Sequence, residues 1–200
     1  MEFKKIQLNG FKSFAEKTNF LIEDGLTGIV GPNGCGKSNI VESLRWAMGE
    51  TSAKSMRGSG MEDVIFNGTS NKASKNIAEV SIVVDNASHD GPFQYKEMDH
   101  IEVRRKIEKD KGSKFYINDK EVRARDAQMF FADLSTGAHS PSMISQGRIG
   151  ALVTAKPTDR RAILEEAANI SGLHVRRHEA ELRLNAAETN LKRADELRRQ

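Results

Sequence analysis

Between Leu26 and Met48 the chain runs from a short apolar stretch (LTGIV, 26–30) into GPNGCGKS and out into an amphipathic segment. Gly31 to Ser38 satisfies G-x-x-x-x-G-K-[ST], and the flanking pattern predicts the strand–loop–helix setting in which that spacing is a phosphate-binding P-loop. Each residue type has a chemical reason. Glycines at 31, 34 and 36 let successive backbone N–H groups turn inward as a nest for phosphate oxygens. A helix opening at Lys37 adds roughly half a positive charge from its dipole. Lys37 supplies a full charge for β- and γ-phosphates, and the Ser38 hydroxyl suits Mg2+. Cys35 fills the loop as a small side chain, a reactive thiol being the alternative reading. It is the single cysteine, so an internal disulfide and a multi-cysteine metal site are excluded, in keeping with a reducing compartment.

Around the loop, FKKIQLN (3–9), LTGIV (26–30), Val64–Phe66 and Ile77–Val84 read as strands, the second apolar enough to be buried in a sheet. Val80, Ile82 and Val84 share one face of the last. Ile101–Glu108 and Lys114–Ile117 flank KDKGS and predict a hairpin. Ile40, Val41, Leu44 and Ala47/Met48 recur at helical spacing over Lys37–Met48, and Ala127–Leu134 reads as a short helix. These elements make residues 1–157 one α/β lobe with a mixed sheet. From 158 to 200 the composition changes to Glu, Arg, Ala and Leu, opened by Pro157 and Asp159 as a helix start would be. Ala180, Leu184, Ala187, Leu191 and Ala194 follow the 4-3-4-3 seam of a coiled coil. That seam is unfinished at LRRQ, so the sequence is expected to be part of something longer.

The formal charge of +3 is too small to announce a nucleic-acid binder. Its distribution is more telling. Between 101 and 125 nine basic residues (Arg104, Arg105, Lys106, Lys109, Lys111, Lys114, Lys120, Arg123, Arg125) face five acids (Glu102, Glu108, Asp110, Asp119, Glu121). This segment is a candidate DNA face, with Arg104, Arg105, Lys111, Lys114, Lys120, Arg123 and Arg125 as contacts; a solvated hairpin is the alternative reading. No apolar run approaches the ~18–20 residues that span a bilayer, and MEFKKIQLNG alternates where a signal peptide would be apolar. A soluble, cytoplasmic protein with no membrane partner is expected.

GFKSF (10–14), GPNGCGKSN (31–39), LRWAMGE (44–50), KSMRG (54–58), MEDVIFNG (61–68), ISQGRI (144–149) and RRAILEEAANI (160–170) occur in order. Together they resemble the N-terminal half of the ATPase head of bacterial structural maintenance of chromosomes (SMC) proteins, across essentially the whole chain. The resemblance implies an ABC-type P-loop ATPase head lobe followed by the start of a long coiled-coil arm, with ATP and Mg2+ as ligands. It implies a Walker A loop made of Gly31, Pro32, Asn33, Gly34, Cys35, Gly36, Lys37, Ser38 and Asn39. Arg57 would be the R-loop arginine reaching the nucleotide phosphates, and Gln146 the Q-loop residue that joins Ser38 on Mg2+. Lys12 and Ser13 would lie near the nucleotide.

The partners it implies are the C-terminal lobe of the same head, a second head, DNA near the nucleoid, and a kleisin-type subunit with its accessory proteins. One departure is Cys35, where many members have serine. The sequence holds no apolar strand ending in Asp-Glu and no L-S-G-G signature. Both belong to the C-terminal lobe in that family, so these residues alone are expected to be inactive. A DNA-repair ATPase of the same superfamily is the nearest alternative. A small P-loop kinase lacks a recognisable lid here, and a structural coiled-coil anchor with a vestigial loop would bind no nucleotide.

Overall fold

A computed structural model describes residues 1–89, 91–134, 156–158, 160–161 and 171–199. Strands β1 (Glu2–Asn9), β2 (Thr18–Leu21), β3 (Ile77–Asp85), β4 (His100–Glu108), β5 (Gly112–Ile117) and β6 (Lys120–Val122) form one sheet in the order β2-β1-β3-β4-β5-β6. Every pairing described is antiparallel. Side chains alternate across it, as strand periodicity requires. Ile6, Leu8, Val80, Ile82, Ile101, Val103, Ile107, Phe115 and Ile117 are buried on one face. Helices α1 (Lys37–Ala47) and α2 (Ala124–Asp133) cover that face through Ile40, Trp46, Ala47, Ala127, Phe130 and Phe131. The opposite face presents Gln7, Arg104, Lys106 and Tyr116. The result is a two-layer α/β lobe.

At the end of β1, Gly10 adopts φ 64°, and a Cβ there would lie 2.2 Å from the Ile77 carbonyl oxygen, so the turn toward Phe11 accepts only glycine. The turn continues through Lys12 and brings Phe11 against Trp46, with ring centroids 5.5 Å apart. Helix α2 opens with the Arg123 N–H donating to Asp126 at 3.1 Å, a side-chain cap of its first turn. A third helix, α3 (Ser171–Arg199), meets α2. Its Leu184 and Leu191 are 61% and 66% exposed, so the stripe predicted as a coiled-coil seam has no partner among the described residues.

Two expected strands are not strands. Segment 26–30 carries no secondary structure and no strand pairing, with Leu26 fully exposed and Val30 94% exposed. Its apolar composition satisfies the pattern for a buried strand, but no described neighbour offers it a ladder. Val64–Phe66 instead follows a 3-10 turn (Met61–Val64), with Ile65 bridged to Phe11 and the Phe66 N–H donating to the Gly10 carbonyl at 2.8 Å.

Candidate functional site

The loop delivers into α1 through Gly36, whose φ of 96° belongs to the left-handed region. A Cβ at Gly36 would lie 2.6 Å from the Ser13 hydroxyl, so glycine is required by contact as well as by conformation. The Asn39 side-chain amide donates to the same hydroxyl at 2.9 Å. Ser13, Gly36 and Asn39 therefore form one contact set, and the GFKSF turn lies against the loop. No side chain caps the first turn of α1 and no acidic residue sits in it. Among the described residues its leading N–H groups meet no anion. The Lys37 ammonium folds back to donate to the Gly31 and Pro32 carbonyls at 2.5 and 2.6 Å, which holds the charge over the mouth of the helix. Ser38 and Cys35 are exposed beside it.

Lys12 and Arg57 meet on a residue that motif reading missed. Glu42, buried on α1, accepts Lys12 on Oε2 and Arg57 on Oε1. Lys12 also donates to the Met56 carbonyl at 2.5 Å. Both cations enter from left-handed backbone, at φ 46° and 55°, which costs a non-glycine residue about 1–2 kcal/mol. The available signal was spacing, since Glu42 follows Ser38 by four residues and so lies one turn behind it on the same face of α1.

The candidate DNA residues divide. Arg105 is a correction: it is 4% exposed and belongs to the core side of β4. Its guanidinium lies between the rings of Trp46 and Phe115, at 4.5 and 4.6 Å, and donates to the Trp46 and Glu50 carbonyls at 2.8 and 2.7 Å. It closes the C-terminal end of α1, where carbonyls lack helical donors. Arg104 lies on the outer face, paired with Asp119 at 2.6 Å and set over Tyr116. Lys111 and Lys114 pair with Glu108 and Glu121 at 2.6 and 3.0 Å. Lys120, Arg123 and Arg125 are exposed. Gln146 lies outside the described residues.

A glycine loop opening an uncapped helix, with lysine and serine at its first two positions and an antiparallel sheet at its side, defines a lobe of an ABC-type P-loop ATPase head. The chain belongs to the RecF/RecN/SMC N-terminal domain family, whose model matches residues 2–148. It is 57% identical over 197 residues to the chromosome partition protein Smc of Cereibacter sphaeroides, and 55% identical to that of Rhodopseudomonas palustris. Each match covers 98% of this chain and 17% of the relative, so the chain corresponds to the N-terminal head part of proteins about six times longer.

Among solved structures, the Smc head domain of Pyrococcus furiosus with an extended coiled coil, bound to the C-terminal domain of ScpA, superposes with a TM-score of 0.77 at 30% identity. That match covers 98% of this chain and 48% of the other. A chain from work on ATP-driven dimerization and DNA-stimulated activation of SMC ATPases gives 0.70 at 30% identity, covering 84% and 99%. The relatives named are partition proteins, so a repair ATPase is not favoured.

Proposed function

We propose that these residues form the ATP-binding half of a chromosome-partition ATPase head. The observation that carries this is the first turn of α1, uncapped and free of acid, with the Lys37 ammonium held over the loop carbonyls. The loop amides and Lys37 bind the triphosphate, Asn39 and Ser13 fix the loop, and Ser38 with Gln146 holds Mg2+. Mg2+ when bound neutralises charge on the β- and γ-phosphate oxygens.

The catalytic carboxylate and the signature that completes the site come from a C-terminal lobe and a second head. The apolar segment 26–30, exposed here, offers that lobe a strand. A kleisin-type subunit binds the completed head, as ScpA does that of Pyrococcus furiosus. DNA binds the β4–β5 hairpin through Arg104, Lys111 and Lys114 and the segment that follows it through Lys120, Arg123 and Arg125, exchanging surface carboxylates for phosphates. Surface pairs of this kind hold by less than about 1 kcal/mol, so that exchange is permitted.

Calorimetric titration of Mg-ATP into wild type and Lys37→Ala tests the reading. Affinity falls at least about tenfold in the variant, since a charge-assisted contact to phosphate contributes about 1.5–3 kcal/mol. Equal affinity would instead favour a structural anchor with a vestigial loop. Residues 1–200 alone turn over no ATP.

A further inference from the structure

Glu42 is a buried carboxylate with two cations and a side chain only 10% exposed. The pairing leaves the cluster with a net charge of +1, one arginine in surplus. Exposure divides the two cations: the Lys12 side chain is 15% exposed and is also fixed by the Met56 carbonyl, whereas the Arg57 side chain is 60% exposed. If Arg57 departs, Glu42 keeps an enclosed partner and no buried charge is stranded. If Lys12 departed, its ammonium would have to leave an enclosed site.

Glu42 stands one turn behind Ser38 on α1, so the guanidinium is held by a side chain one helical turn, about 5.4 Å of rise, from the end of the loop. A triphosphate offers more charge than a carboxylate already shared with a lysine, and its oxygens match the planar fork of arginine. We propose that Glu42 is a positioning residue that parks Arg57 one helical turn from the loop and releases it to a bound triphosphate, Lys12 staying behind as the neutralising cation. This deepens the nucleotide reading of the loop and rests on it.

The test is titration of a fluorescent ATP analogue with Mg2+ into the intact protein, as wild type, Glu42→Gln, Arg57→Ala, the double variant and Lys37→Ala. Removing the competing carboxylate in Glu42→Gln tightens binding about two- to fivefold, the range of an ion pair whose arginine is open to solvent, and the gain shrinks as salt rises. In the Arg57→Ala background the same substitution changes nothing, which is the coupling that a merely structural role would not produce. Unchanged or weaker binding in Glu42→Gln overturns the proposal, and so does a gain that persists without Arg57.

Should Glu42→Gln fail to fold, Glu42→Asp decides. It keeps a charge for Lys12 but withdraws the carboxylate by one carbon–carbon bond, about 1.5 Å, and the gain is smaller but of the same sign. Lys37→Ala separates the two levels: undiminished binding there removes the loop reading itself, whatever Glu42 does.

Discussion

Helix α1 ends on a glycine, Gly49 at φ 106°, whose N–H donates to the Trp46 carbonyl at 3.1 Å, and the guanidinium of Arg105 adds a second donor to that carbonyl and one to the carbonyl of Glu50. Burial pushes its pKa down to about 10, partly offset by the Glu50 carboxylate, yet it remains charged at neutral pH. Replacing it takes the guanidinium donor from the Glu50 carbonyl, leaves the Trp46 carbonyl with the Gly49 N–H, and removes a cation between two rings. Arg105→Leu therefore lowers unfolding free energy by about 2–4 kcal/mol in urea denaturation and leaves the DNA affinity of the folded protein unchanged. Arg104→Ala shows the converse, a stability change under about 1 kcal/mol with weaker DNA binding. Wild-type stability in Arg105→Leu would contradict the capping role. The adjacent arginines look equivalent in sequence and differ only in strand parity, which the run Ile101-x-Val103-x-Arg105-x-Ile107 already encoded.

At the scale of elements, the segment carrying Arg57 is held by Asp63. Its carboxylate accepts the Gly60 N–H at 3.0 Å, the Ser59 hydroxyl at 2.9 Å and the Ser59 N–H at 2.6 Å, and these bonds hold its pKa below the ordinary 3.8. A carboxyl whose folded pKa is lowered stabilises fully above its unfolded value and loses that contribution as pH falls through the lower folded one. The segment is thus pinned across the neutral range and loosens only in acid. Asp63→Asn loosens it at neutral pH, so trypsin cleaves after Arg57 several-fold faster than in wild type; equal rates would show that other contacts hold the turn. Elements set by local pattern were legible: α1, β3 and the β4–β5 hairpin follow from periodicity. The loop residues were legible because spacing and residue type carry the chemistry. Glu42 was not, because its partners lie thirty residues before it, at Lys12, and fifteen after it, at Arg57. Nor could the sequence tell a paired apolar strand from an unpaired one, since 26–30 reads alike in both states.

At the scale of the molecule, the lobe has one finished face and one unfinished side. The finished face is the helix-covered core; the other holds Leu26, Ile29 and Val30 exposed in a segment outside the sheet, with Val41 of α1 also exposed. Burying Leu26 and Val30 alone would contribute about 3–6 kcal/mol at 1.5–3 kcal/mol per side chain. Unpaired amides beside such side chains are a template for another strand. Helix α3 has an uncovered stripe too. Over 29 residues α3 spans about 44 Å and presents Leu184 and Leu191 to solvent, the arrangement that a second helix covers in a coiled coil. Hydrogen exchange compares the two states directly. In residues 1–200 alone the amides of 26–30 exchange as fast as open loop, whereas those of β3 are protected. In a head completed by the proposed C-terminal lobe, 26–30 becomes protected to the level of β3, and ATP adds protection at 33–38 through the loop amides. If 26–30 stays fast in the intact head while 33–38 slows with ATP, the loop works without a strand before it, and the partner lobe docks elsewhere.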